Sequence, residues 1–143
     1  MEANCDPDIK DTEYGWTALS WAAGHSHEGV VRLLLTKGVD LVGSDYKGRT
    51  PLSWTYILRK GHANVVQFLL DNGAELILTK SMLNRHPLMW AVMEGNADVV
   101  KVLLSQDVNL KLQDPMTGET PLLWAAGSDH ETMAMLLLGG GAD

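Results

Sequence analysis

The sequence predicts an all-α solenoid of four stacked helix–turn–helix repeats. Three observations carry that prediction. Trp21, Trp54, Trp90 and Trp124 fall 33, 36 and 34 residues apart, a self-similarity at the period of a stacked array. Each sits in a similar phrase: Thr17-Ala18-Leu19-Ser20-Trp21-Ala22, Thr50-Pro51-Leu52-Ser53-Trp54-Thr55, His86-Pro87-Leu88-Met89-Trp90-Ala91 and Thr120-Pro121-Leu122-Leu123-Trp124-Ala125. Each phrase is followed by a second, more apolar run: Val30 to Leu35, Val65 to Leu70, Val99 to Leu104 and Met133 to Leu138.

The elements follow in order. A short polar loop ends in Gly-x-Thr (Gly15-Trp16-Thr17, Gly48-Arg49-Thr50, Gly118-Glu119-Thr120). Thr is a good N-cap for the first helix, and Pro51, Pro87 and Pro121 occupy its first turn, where a missing N–H costs nothing. The third repeat departs from this pattern: its loop, Lys80 to His86, is more apolar, and His86 is an inferior cap. The second helix ends at Gly38, Gly73 and Gly141, where the chain turns left-handed, and Asp107 is a tolerable substitute in the third repeat. No segment could bury its apolar face alone, so stability is expected from stacking. The chain is therefore read as one domain, 1–143, with 1–10 as the tail of a preceding repeat and repeats at 11–42, 43–77, 78–111 and 112–143. Repeat two carries an insertion around Tyr56-Ile57-Leu58-Arg59-Lys60, and its Thr55 replaces a small Ala. The hairpins Asp11 to Gly15 and Asp114 to Gly118 are longer than Asp45 to Gly48.

Composition narrows the function. The chain is 45% apolar and 20% charged, with a formal net charge of −7, so it is a globular chain without the basic stripe that phosphate binding needs. Nucleic acid is excluded as the expected partner. No apolar stretch approaches the ~20 residues of a membrane helix, and no secretory signal is visible. The single Cys5 cannot form an internal disulfide. A cytoplasmic protein is expected, with the nucleus as the other compartment these features allow.

The phrase T-P-L-x-x-A, with Gly141-Ala142-Asp143 closing the last unit, resembles the ankyrin repeat over nearly the whole chain. Ser53 and the Trp that follows it look most like ankyrin repeats of fungal proteins, often attached to nucleotide-binding signalling domains. The resemblance implies an ankyrin-like repeat solenoid with helix pairs joined by protruding β-hairpin loops. It also implies a concave side lined by hairpins and first helices, and non-catalytic protein binding through that side.

On that side, two readings of the tryptophan row stay open. Trp21, Trp54, Trp90 and Trp124 form either the aromatic floor of a groove or scaffold packed between repeats. Recurrence in every repeat favours scaffold, because binding residues usually vary between repeats. Trp16 stands where other repeats have Arg49, Arg85 and Glu119, so repeat logic does not demand it. With Tyr14 and Tyr46 it is the expected contact anchor, with Lys47, Arg49 and Arg85 as orienting charges and Glu13 and Glu119 beside them. The last helix carries Met133, Met135 and Leu136 to Leu138, some of which a terminal repeat would leave uncovered. This suggests an excised piece of a longer protein; the rival reading is self-association through the end repeats.

Other chemistry finds little support. His25-Ser26-His27 pairs two imidazoles, but no third and fourth ligand stand at zinc spacing, so no metal or cofactor is expected. His27, His62 and His130 fall near turns between helices. Asp129-His130-Glu131 and Asp6 with Asp8 lack a companion nucleophile motif. An enzyme is therefore not expected, and small-molecule use of the Trp-lined groove is the weakest alternative.

Overall fold

The computed structural model describes residues 5–57, 63–76 and 85–142. Leu58 to Lys60 of the insertion, His62, and the loop up to Asn84 lie outside the described residues. Among those described, eight helices follow in order: α1 (Ala18–Gly24), α2 (Glu28–Thr36), α3 (Pro51–Ile57), α4 (Ala63–Asp71), α5 (Pro87–Met93), α6 (Ala97–Leu104), α7 (Pro121–Gly127) and α8 (Glu131–Gly139). Odd helices pack on odd neighbours (α1 on α3, α3 on α5, α5 on α7), and even on even. Each odd helix also packs on the even helix that follows it. The result is an all-α solenoid of two helix layers.

Burial explains the sequence pattern. Leu19, Leu52 and Leu88 of the first layer are fully buried, as are Val31, Val66 and Val100 of the second. These positions recur once per repeat and meet the neighbouring repeat, so the core is continuous along the stack. Thr55 is buried, and its hydroxyl donates to Leu52 O at 2.7 Å. A polar group at the position of a small Ala is thus satisfied within its own helix.

The caps form as the residue types dictate. Thr17, Thr50 and Thr120 accept from the backbone N–H of Ser20, Ser53 and Leu123. His86, an unpromising cap, does the same with a ring nitrogen: Nδ1 accepts from Leu88 N at 3.2 Å. Burial holds the His86 imidazole below its ordinary value, which keeps that nitrogen free to accept. Asp107 closes the sixth helix in the left-handed region (φ 53°), where the other repeats use glycine.

The described loops that join the repeats are turns without the strand ladder expected of β-hairpins. No strand forms among the described residues. Each described loop is a tight turn whose ends are joined by a backbone bond, Asp11 N to Trp16 O, Asp45 N to Arg49 O, and Asp114 N to Glu119 O, with Gly48 N to Asp45 O and Gly118 N to Asp114 O inside the latter two. The aspartate side chains occupy the turn donors that a ladder would otherwise use.

Candidate functional site

The loop tips and the starts of the odd helices line one edge of the stack. Each described loop is organised around an aspartate. Asp11 Oδ1 accepts from the backbone N–H of Glu13, Tyr14 and Gly15, and Oδ2 from that of Trp16. Asp45 Oδ1 accepts from Lys47 N and Arg49 N at 2.8 and 2.9 Å, while Oδ2 takes the Arg49 Nε–H at 2.6 Å. Asp114 Oδ1 accepts from Met116 N and Thr117 N, and its Oδ2 takes Arg85 Nε–H from the preceding loop.

These donors set the electrostatics. The Tyr14 N–H, against some desolvation, and then those of Trp16, Glu13 and Gly15 hold the Asp11 carboxyl below its ordinary value. At Asp114 burial works upward, and the Met116 N–H, the Arg85 guanidinium and the Thr117 N–H outweigh it, so this carboxyl too is lowered. Charged carboxylates at both places pin the turns, which reduces the ordering that a bound partner would have to impose.

The aromatic residues converge on Trp16. Its ring centroid lies 4.4 Å from those of Trp21 and Trp54, both edge-on, and 5.3 Å from Tyr14. Arg49 stacks over Trp54 at 4.0 Å. Tyr46 clamps the second loop to the first: its N–H donates to Tyr14 O at 3.1 Å and its hydroxyl to Asp11 O at 3.3 Å. The Tyr46 ring lies over Gly15, where an added Cβ would come within 2.8 Å of it. Gly15 also has φ 75°, so two independent constraints require glycine there.

Several expected site residues take other roles. Trp16, expected as a free anchor, is half-buried at the centre of this cluster, and its indole N–H is buried and meets no acceptor among the described residues. Arg49 and Arg85, expected as orienting charges, are largely buried against Asp45 and Asp114, so their charge holds loops rather than facing outward. The tryptophan row is not uniform. Trp54 is 4% exposed and Trp21 46%, with Trp90 and Trp124 between them. Trp90 lies below Arg85 at 5.6 Å, and Trp124 meets His130 edge-on. Tyr14, Tyr46, Glu13 and Lys47 are exposed at the tips, and Glu119 is half-buried on the fourth loop. The first two loops thus bring Tyr14, Trp16, Tyr46, Lys47 and Arg49 together, while Arg85 and Glu119 belong to the far end.

Sequence reasoning missed the three aspartates as the residues that shape the loops. Their signal was present: in each described loop an Asp stands three or four residues before the glycine of Gly-x-Thr. It also missed the stack in which Trp21, His25 and His27 lie face to face. Among the described residues no three His, Cys, Asp or Glu side chains gather as a metal site, and no helix is long and apolar enough to cross a membrane.

Comparison with known proteins agrees with this architecture. The family profile for ankyrin repeats (3 copies) matches residues 1–80 and 61–143. A mouse protein, ankyrin repeat and SAM domain-containing protein 6, is 32% identical over 69 residues, 48% of this chain and 8% of its own length. An ankyrin repeat protein of Rickettsia bellii (strain RML369-C) is 35% identical over 60 residues, 42% of this chain and 32% of its own length. The matched part is a minor share of both relatives, and neither supports the fungal resemblance suggested by the Ser-Trp phrase. With the profile running the length of a stack of paired helices, the chain belongs to the ankyrin-repeat family.

Proposed function

We propose that this chain is a non-catalytic module that binds a protein partner across its first two loop tips and the adjoining first helices. Ankyrin repeats are general protein-interaction modules, and the residues here suit that use. One observation carries the assignment to this end of the edge. Tyr14 and Tyr46 are exposed, yet their backbones are locked by Asp11 and by the bond between Tyr46 N and Tyr14 O. An aromatic side chain on a fixed backbone buries a large area at low entropic cost, which is the profile of an interface anchor. Trp16 and Trp54 serve as the platform below, and Glu13 and Lys47 supply polar contacts at the rim. Arg85 and Glu119 contribute only to a partner long enough to reach the far end.

The test is site-specific photo-crosslinking in extract of the source cells. A photoreactive residue at Lys47 should give a discrete protein adduct that Tyr14→Ala and Tyr46→Ala abolish while circular dichroism and cooperative unfolding show the chain still folded. The same residue at Lys101, on the second-helix layer, should give none. Equal adducts at both positions, or adducts indifferent to the two tyrosines, would remove this assignment.

A further inference from the structure

The four repeats share one frame, so a residue that departs from it needs its own reason. Four departures meet at the joint between the second and third repeats, beside the turn from α5 to α6. Tyr56 stands where the other repeats have Ala23, Val92 and Ala126, and Glu94 is an acid where they have His25, Leu58 and Ser128. Asn96 holds the place of His27, His62 and His130, and Asp98 that of Gly29, Asn64 and Thr132. All four line one cavity of about 420 Å³, within the ~300–1,000 Å³ of small-ligand sites. Its walls belong to repeats that have a neighbour on either side, so the cavity is a property of an inner joint.

The lining is graded from floor to mouth. Tyr56, Ala91 and Val99 are buried, Glu94 and Asn96 are half-buried, and Asp98 is exposed. Tyr56 is only 7% exposed, yet its hydroxyl makes no hydrogen bond among the described residues. Burial pushes the phenol up, so it stays a neutral O–H able to donate or accept. A buried hydroxyl without a partner costs free energy, which a ligand that supplies the partner recovers. Asn96 Oδ1 accepts from Val99 N at 3.2 Å, and this side chain takes less room than the histidine of the other repeats. No Lys or Arg stands among the described lining residues, so the mouth carries two carboxylates and is anionic. Lys101 pairs with Asp98 at 3.3 Å, with both side chains exposed, and a pair of that kind exchanges readily.

We propose that this cavity binds a small organic ammonium ion with an apolar body and a hydrogen-bonding group at the end away from the charge. The ammonium meets Glu94 and Asp98 at the mouth, the body lies on Ala91 and Val99, and the far group pairs with the Tyr56 hydroxyl. The order of these groups favours a free small molecule. A partner's lysine would enter ammonium first, which sets the charge against the phenol and the apolar stem beside the carboxylates. Selectivity for the far group comes from the floor, because a ligand without it leaves the buried hydroxyl unpaired.

Three related compounds test this on the intact chain. Tyramine carries all three features, phenethylamine lacks the hydroxyl, and para-ethylphenol lacks the ammonium. In an NMR titration tyramine should shift the Ala91 and Val99 methyl signals saturably, with a Kd below about 1 mM. Each of the other two should bind about tenfold more weakly. Tyr56→Phe should erase the preference for tyramine over phenethylamine, and Glu94→Gln should reduce the preference for tyramine over para-ethylphenol. Because Tyr56→Phe deletes an unpaired hydroxyl, it should not lower the melting temperature. Nα-acetyl-lysinamide, which presents a lysine side chain, should bind at least about tenfold more weakly than tyramine. Tyr46→Ala, at the loop tips, should leave every affinity unchanged, so this inference and the partner reading fail separately. The absence of a saturable shift, equal binding of the three compounds, a lysine derivative that matches tyramine, or a destabilised Tyr56→Phe would each overturn the proposal.

Discussion

The first two loops and the last described loop solve one problem in different ways. Each must fasten to its neighbour so that the edge of the stack is rigid. At the start of the chain the fastening is aromatic: Trp16 bridges Trp21 and Trp54, and Tyr46 lies over Gly15. At the far end it is ionic, with Arg85 reaching Asp114 and then the Met116 sulfur at 3.9 Å. The choice follows from one repeat position, occupied in turn by Trp16, Arg49, Arg85 and Glu119. A repeat frame fixes where a neighbour must be met and leaves the chemistry of the meeting free. The aromatic joint carries two exposed tyrosines with it, whereas the ionic one consumes its charge internally. That is why the proposed partner surface lies at the first end.

The sharpest way to break this comparison is to remove each fastening. Asp114→Ala leaves the largely buried Arg85 without its carboxylate and two turn N–H groups without an acceptor. It should cost about 3–4 kcal/mol in denaturant unfolding. Trp16→Ala should cost about 3 kcal/mol, because it opens a void between Trp21, Trp54 and Tyr14. If Trp16→Ala proves neutral, the aromatic cluster is not a structural joint and the contrast fails.

Gly15→Ala should cost about 1–2 kcal/mol from its left-handed backbone and the crowding of the Tyr46 ring. Its more telling effect is to push Tyr46 off the first loop, so the crosslink at Lys47 should weaken more than stability does. Tyr46→Phe loses only a long bond from the hydroxyl to Asp11 O. A loss under about 1 kcal/mol in the same unfolding assay is expected.

A pH titration separates the two ends more gently. The folded His86 imidazole is lowered by burial, so as pH falls below its ordinary 6.5 the unfolded chain takes up the proton first. Stability from the α5 cap is therefore complete above that value and lost below it. His86→Asn, which caps without titrating, should flatten the stability curve between about pH 7 and 5. Asp11 and Asp114 act lower down. Both carboxyls are depressed from 3.8, so their contribution is complete above that value and drains as pH falls through their lowered values. Charge-neutral Asp11→Asn and Asp114→Asn should each be less acid-sensitive than the wild type.

The caps and apolar rows were legible in the chain because they depend on nearest neighbours in sequence. The side-chain hydroxyls of Thr17, Thr50 and Thr120 cap the backbone N–H three residues on, and Asp107 turns left-handed where glycine is missing. The candidate site was legible only as a composition. That Tyr14, Trp16, Tyr46 and Arg49 would gather could be read from their shared place in the repeat. Which of them would be buried could not, since Trp16 and Trp54 meet across 38 residues of chain.

The sequence by itself therefore determined the period, the helix pairs, their caps and the family, because each follows from local propensity repeated in register. Tertiary structure alone decided that Trp16 is a hub, that Trp54 is buried while Trp21 is open, and that Arg85 belongs to Asp114. Identical motifs acquire different surroundings once they stack, and burial is a property of the neighbour rather than of the residue.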